Sequence, residues 1–129
     1  MATVTIWEGY RSTVDDYVTY VVFDGEHLGG ISYRVDECDI EYSFYRANSG
    51  QVVVHETRSI EYGSLRATYS HTQSGIYIHN DLAEACATFN IPQQHIDPHR
   101  SNLAATRGNE LNARTITLEQ YVAECEYFV

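Results

Sequence analysis

Lysine is absent from this 129-residue sequence: all 8 basic residues are arginine, set against 18 acidic residues, and the formal net charge is −10. A surface this acidic repels nucleic-acid phosphates over most of its extent, so binding of an extended nucleic acid is disfavoured. Cysteine is also scarce. The 3 cysteines are odd in number and form no Cys-x-x-Cys pair, which argues against a disulfide framework or a zinc site.

Long apolar runs are missing as well. No stretch approaches the roughly 20 apolar residues needed to cross a bilayer, and the first residues lack the basic and apolar regions of a signal peptide. We therefore expect no membrane association and a cytoplasmic location, which would be the host cytoplasm for a viral protein. With 43% apolar residues and only 2 prolines, the chain has a globular composition. Its length predicts a single domain over residues 1–129.

Residues 3–79 carry the period-2 alternation of β-strands, broken by residues that favour turns. Ile40, Tyr42 and Phe44, for example, alternate with polar neighbours, as in a strand with one solvated face. Asp24–Gly30 reads as a hairpin loop, and the glycine at position 75 leads into a last short strand. The pattern predicts an antiparallel sheet of about seven strands.

The last third of the chain has the period of helices. Residues 81–90 begin with the capping-box spacing of Asp81 and Glu84, and residues 117–127 begin with that of Thr117 and Gln120. Both segments carry an apolar stripe that needs a surface to cover. The predicted fold class is therefore α+β, an antiparallel sheet followed by two C-terminal amphipathic helices packed on it or beside it.

The connection between these helices, Ile91 to Arg114, is 24 residues long. Loops longer than about 12 to 15 residues are uncommon in compact domains unless they are functional or disordered. This one holds three of the eight arginines, and guanidinium groups bind phosphates and carboxylates through paired donors. It therefore predicts a site for a small anionic, nucleotide-like ligand. The candidate ligand-binding residues are Arg100, Arg107, Arg114, Asn90, Asn102, Asn109 and Phe89.

Two structural alternatives apply to the same connection. The arginines could pair with the abundant carboxylates of the sheet, or Ser101 to Leu111 could form a further short helix. Neither alternative needs a ligand.

By layout, a small acidic chain with strands first and helices last resembles phage anti-defence proteins that sequester signalling nucleotides. The likeness is one of size and architecture, and it implies a non-catalytic viral protein that binds a nucleotide without any cofactor or metal. The many tyrosines on predicted strands also favour a homo-oligomer formed through the sheet, because tyrosine is enriched at interfaces.

Two other functions fit parts of the sequence. An acidic inhibitor or nucleic-acid mimic would meet a basic partner through carboxylates of the first hairpins. These are Asp15, Asp16, Asp36, Glu37, Asp39 and Glu41. In addition, His55-Glu56-Thr57 and His99-Arg100-Ser101 resemble the paired motifs of two-histidine phosphoesterases, which implies acid and base roles for His55 and His99 in a small phosphodiesterase.

Overall fold

A computed structural model describes residues 2–12, 16–64, 67–100 and 113–127. The predicted α+β class is confirmed, because these residues form one six-stranded mixed sheet and two C-terminal helices. The strands are β1 (Ala2–Ser12), β2 (Asp16–Val35), β3 (Cys38–Ala47), β4 (Val52–Ser64), β5 (Ala67–His79) and β6 (Arg114–Thr117). The helices are α1 (Leu82–Thr88) and α2 (Leu118–Tyr127), with a 3-10 helix at Gln93–His95 between them. In the described ranges no helix has the length and apolarity to span a membrane.

The first five strands close into a ring. The strand order is β1-β5-β4-β3-β2-β6, and β1 also pairs with β2, so that antiparallel ladders connect all five. Among the described residues the closing ladder is short, because β1 meets β5 there along Gly9–Ser12 and the facing residues His71–Ser74. β2 makes the ring possible through its length: its first half pairs with β1 and its second half with β3.

The six described strands differ slightly from the predicted number of about seven, because two pairs of predicted strands are each one continuous strand and β6 was not predicted. Asp24–Gly30 is no hairpin loop, because β2 runs through it with a register shift between His27 and Gly29. At Gly29 φ is +142°, and a Cβ there would lie 2.6 Å from the carbonyl oxygen of Asp97. Glycine at this point allows a β-bulge and a close approach of the backbone at Asp97. In a sequence, glycine in either of these roles looks the same as glycine in a turn.

Strand β5 is likewise continuous where a break was predicted. Gly75 lies opposite Glu56 in the β4–β5 ladder, and its missing side chain leaves room for the ring of Tyr77. A Cβ on Gly75 would lie 3.0 Å from the Tyr77 hydroxyl oxygen. This glycine therefore accommodates an aromatic neighbour within a strand.

The predicted sheet was purely antiparallel, and β6 corrects that. It pairs in parallel with Thr19–Val22 of β2, at the end of the connection that follows α1. The earlier part of this connection is also structured: Gly30 and Asp97 exchange two backbone hydrogen bonds of 2.9 Å. The further short helix that the sequence offered as an alternative, Ser101 to Leu111, falls outside the described residues.

Both predicted helix starts are confirmed, although the helices are slightly shorter than residues 81–90 and 117–127. Asp81 accepts a 2.8 Å hydrogen bond from the backbone N–H of Glu84. Thr117 and Gln120 form the full reciprocal capping box, with bonds of 2.8 and 3.2 Å. Each side-chain oxygen satisfies a backbone donor that the first turn of a helix leaves unpaired.

The helices cover different apolar clusters. Leu118 and Tyr121 of α2 pack with Ile6, Val21 and other buried residues of the ring. Ala85 and Cys86 of α1 pack with a second cluster that includes Phe44, Val54 and Ile91. The sequence predicted one shared surface, whereas the closed sheet offers two.

Tyr121 holds α2 across the place where β1 and β5 separate. Its hydroxyl is 2.7 Å from the Glu8 carboxylate and 3.2 Å from the Ile76 carbonyl oxygen, so it can donate to either strand. Tyr121→Phe removes this donor and is expected to lower the free energy of unfolding by about 2 kcal/mol in urea denaturation. The control Tyr17→Phe, at a ring that is 69% exposed, should change it by less than about 0.5 kcal/mol. Equal effects would show that the Tyr121 hydroxyl bridges nothing.

Candidate functional site

Two of the three predicted arginines are described, and each contacts a carboxylate. Arg100 Nη2 lies 3.4 Å from Oε1 of Glu41 on β3. Arg114 donates two hydrogen bonds of 2.8 Å to Glu124 on α2. Arg100 is thus paired with a carboxylate of the sheet, as in the structural alternative, whereas the partner of Arg114 lies on α2. Arg107, Asn102 and Asn109 lie outside the described residues.

The predicted residues Phe89 and Asn90 follow directly on α1. Asn90 is exposed, adopts a left-handed φ of +55° and donates its backbone N–H to the carbonyl oxygen of Ala87. This is how asparagine commonly ends a helix. Phe89 is half-buried, and its side chain packs among aromatic residues of the sheet. Of the described predicted residues, Phe89 is the one that lines an apolar cavity beside the helices.

That cavity is a groove of about 730 Å³ over the part of β5 that has parted from β1. One wall comes from the β5 residues 76–79, and the others from the end of α1, from α2 and from β3 and β4. We call it the aromatic groove. Its lining residues are Tyr42, Glu56, Arg58, Ile76, Tyr77, Ile78, His79, Thr88, Phe89, Tyr121, Val122 and Cys125.

Phe89 stands at the centre of a group of aromatic rings. Its ring centroid lies 5.2 Å from that of Tyr42 and 5.1 Å from that of Tyr77, and the interplanar angles are 49° and 69°. Tyr77 is 41% exposed, whereas Tyr42 is buried. The groove therefore offers both ring faces and ring edges, the two ways in which an aromatic surface holds a planar molecule.

The polar part of the groove is a small hydrogen-bonded group on β3 and β4. Glu56 is nearly buried, and its Oε1 lies 3.2 Å from Nε of Arg58, whose side chain is half exposed. Burial, together with a hydrogen bond to Glu56, raises the pKa of Tyr42 far above its ordinary value. The Tyr42 phenol therefore stays protonated as a donor to the carboxylate, and Arg58 remains the positive charge of this group.

His79 supports Phe89 from the other side. Its ring meets the Phe89 ring edge-on at 5.9 Å, and its Nδ1 lies 3.3 Å from Oε1 of Glu84 in the first turn of α1. Its Nε2 is buried and has no hydrogen-bond partner among the described residues. His79 thereby links the orientation of Phe89 to the start of α1.

No protein family model, curated protein or solved structure matches the chain. What the groove can do must follow from its chemistry. Within the described ranges no three His, Cys, Asp or Glu side chains are grouped as metal ligands would be. An apolar cleft with a few convergent polar groups is the usual form of a small-molecule site.

Of the residues that line the groove, Phe89 was predicted from the sequence, whereas Glu56, Arg58 and Tyr77 were not. The first two leave a weak signal, since opposite charges two residues apart on a strand share a face. Tyr77 leaves no such signal in the sequence. It contacts Phe89 because the strand register places it opposite Val54, and the sequence of one strand does not determine its register with the next.

The two histidines of the phosphodiesterase hypothesis lie in contrasting environments. His55 has no exposed surface, and its Nε2 lies 2.8 Å from the carbonyl oxygen of Trp7. His99 is exposed, and its backbone N–H donates to the Asp97 carboxylate. Because a general acid or base must reach the substrate, the burial of His55 gives this hypothesis no support.

The acidic-surface hypothesis involves the turn between β2 and β3. Asp36 and Glu37 are exposed there. Asp39, however, is paired with Arg34 at 2.9 Å, and Glu41 with Arg100 at 3.4 Å. Two of the carboxylates meant for a basic partner are thus already matched by cations of the chain.

Proposed function

We propose that the chain is a non-catalytic binding protein that captures a small, planar, nucleotide-like ligand in the aromatic groove. The observation that carries this proposal is the placing of Phe89 between Tyr42 and Tyr77 in a cavity of about 730 Å³. Ligand pockets typically enclose about 300 to 1,000 Å³ and are lined mainly by apolar and aromatic side chains. A base-sized ring would stack on Phe89 or Tyr77.

Arg58 supplies the partner for an anionic group. In the described part of the chain it is the arginine that lines the groove, and its side chain is 50% exposed. Its contact with Glu56 uses Nε, and a guanidinium has five N–H donors, more than this contact requires. Because the protein carries a charge of −10, a ligand with one compact anionic group suits the groove better than a polyanion.

The second part of the proposed function is that the chain holds its ligand without altering it chemically. The groove contains no exposed pair of acid and base side chains of the kind the phosphodiesterase hypothesis required. We therefore propose that a captured nucleotide is released chemically unchanged, as an anti-defence protein of a virus would need. Chromatography of the ligand after prolonged incubation and denaturation tests this directly, and any hydrolysis product would refute it.

The binding test compares AMP, adenosine and ribose 5-phosphate in thermal-shift and calorimetric titrations. AMP should raise the melting temperature, because a ligand that binds only the folded state stabilises it. Phe89→Leu keeps apolar bulk but removes the ring, and it should weaken AMP binding about tenfold, the usual loss for one stacking contact. Arg58→Gln should weaken AMP binding and leave adenosine binding unchanged.

Tyr17→Leu is the matched control, because Tyr17 is an exposed ring outside the groove. Its AMP affinity should equal that of the unaltered chain. If none of the three compounds raises the melting temperature, the proposed function is wrong. If adenosine binds as tightly as AMP, the proposed stacking of the base is supported and the proposed contact of Arg58 with the phosphate is wrong. Light scattering with and without AMP would test the predicted homo-oligomer.

A further inference from the structure

A second cavity, of about 400 Å³, lies away from the aromatic groove and has an opposite character. Charged and hydroxyl side chains line it. They are Ser32, Tyr33 and Arg34 on β2, Asp39 and Glu41 on β3, Ser59 on β4, and Arg100 from the connection after α1. We call it the charged cavity.

Strand register explains why these residues meet. Ser32 lies opposite Glu41, Arg34 opposite Asp39, and Asp39 opposite Ser59. Directly paired residues of adjacent strands share a face of the sheet. The charged cavity therefore extends across three neighbouring strands, and Arg100 closes it from outside the sheet.

Arg100 is held in place by the backbone around it. Gly30 of β2 and Asp97 exchange two hydrogen bonds of 2.9 Å, and the backbone N–H of Arg100 donates to the carbonyl oxygen of Asp97 at 3.2 Å. A Cβ on Gly30 would lie 3.2 Å from the Arg100 carbonyl oxygen. The close approach of these backbones sets the position from which the guanidinium of Arg100 reaches Glu41.

The charges of the cavity form two ion pairs whose carboxylates are neighbours on β3. Arg34 Nη1 contacts Asp39 Oδ1 at 2.9 Å, and Arg100 Nη2 contacts Glu41 Oε1 at 3.4 Å. Asp39 and Glu41 are two residues apart on one strand, which separates the two ion pairs by about 7 Å. Each contact uses one carboxylate oxygen and one guanidinium nitrogen, whereas a carboxylate has two oxygens and a guanidinium has five N–H donors.

Two cations and two anions make this cavity neutral within a chain of net charge −10. A simple anion would meet Asp39 and Glu41, and a simple cation would meet Arg34 and Arg100, so neither is favoured. A molecule carrying both charges meets no such penalty. We propose that the charged cavity binds a small zwitterion of the amino-acid class, with its carboxylate at the two arginines and its ammonium at the two carboxylates.

The existing ion pairs do not obstruct this binding. Their side chains are 30% to 65% exposed, and exposed ion pairs contribute little to stability. A bound zwitterion exchanges each protein–protein contact for a protein–ligand contact of the same kind. Ser32 and Ser59 add hydroxyl groups that donate to the ligand carboxylate or accept from its ammonium.

Ligand-observed NMR and calorimetry with glycine, acetate and methylamine test the proposal. Acetate and methylamine are the two halves of glycine, so binding of the whole is compared directly with binding of its parts. Glycine should bind at least about tenfold more tightly than either half, since only glycine satisfies both signs of charge. Arg34→Gln and Glu41→Gln should each reduce glycine binding by at least about tenfold.

Arg46→Gln is the matched control. Arg46 also lies on β3 and also contacts a carboxylate through one nitrogen, with Nη1 3.3 Å from Oε1 of Glu26, but it is outside the charged cavity. Glycine affinity should be unchanged in this variant. Glycine binding that is absent, matched by acetate, or lost equally in Arg46→Gln would overturn the proposal. AMP titrations of Arg34→Gln separate the two sites, because the aromatic groove does not include Arg34.

Discussion

Gly9→Ala is expected to lower the free energy of unfolding by about 4 kcal/mol, the sum of backbone strain and a forced separation of strands. At Gly9 φ is +129°, a region that residues with a side chain rarely adopt. A Cβ there would overlap the carbonyl oxygen of Tyr17 on the neighbouring strand. This oxygen belongs to the backbone and cannot rotate away as the end of a side chain could, so β1 and β2 would have to move apart.

The location of Gly9 makes this costly for the whole ring. It pairs with Val18 of β2 on one side and with Ser74 of β5 on the other, in the four-residue ladder that closes the sheet. The control is Gly50→Ala, where φ is also positive, at +91°, but no described atom lies within 4 Å of the added Cβ. That variant should lose about 1 kcal/mol from strain alone. Equal losses for both variants in urea denaturation would show that β1 and β2 are not in tight contact at Gly9.

His55 should make stability fall as the solution is acidified. Burial, as the largest cause, lowers its pKa from 6.5 to about 4. In the neutral imidazole Nε2 can carry the proton, because both of its neighbours, the Trp7 carbonyl and the Ser74 hydroxyl, can accept a hydrogen bond from it. Its Nδ1 is buried with no hydrogen-bond partner among the described residues, so protonation there places an uncompensated charge in the core.

The direction of this pH dependence follows from which state, the folded or the unfolded chain, binds the proton at the higher pH. The unfolded chain takes it up near pH 6.5 and the folded chain only near pH 4, so the contribution is complete above pH 6.5 and is lost as the pH falls to about 4. Between pH 7 and pH 5 the free energy of unfolding should fall by about 2 kcal/mol through this residue.

His55→Gln carries a neutral amide at the same position, and its stability should lack that portion of the pH dependence even if its absolute stability is lower. His99→Gln, at an exposed imidazole, is the control and should keep the slope of the unaltered chain. Urea denaturation at several pH values measures all three. An unchanged slope in His55→Gln would show that His55 takes up its proton over the same pH range in the folded and the unfolded chain.

The fold class could be read from the sequence because it depends on local patterns. The capping residues Asp81 and Thr117 mark the helix starts through bonds that span three residues. Strand number could not be read in the same way, because glycine has several uses. Gly29 and Gly75 admit a neighbouring backbone or ring inside a strand, and their sequence contexts match those of turns.

The candidate site was predictable only in part, since it forms through long-range register. Phe89 was found because it ends an apolar helical stripe, but its partners Tyr42 and Tyr77 come from two other strands. The predicted basic connection also had an ambiguity that composition cannot resolve. An arginine such as Arg114 attracts a phosphate or a carboxylate equally well, and Glu124 on the next helix is already within 2.8 Å of it.

Trp7 gives the molecule one optical reporter at a defined place in the ring of strands. It is the single tryptophan of the chain, has no exposed surface and lies beside the closing ladder, with the Arg11 guanidinium carbon 4.4 Å from its ring centroid. The aromatic groove is lined by tyrosine and phenylalanine instead. Because Trp7 is buried beside the closing ladder and does not line the groove, its emission follows opening of the ring of strands, without any label.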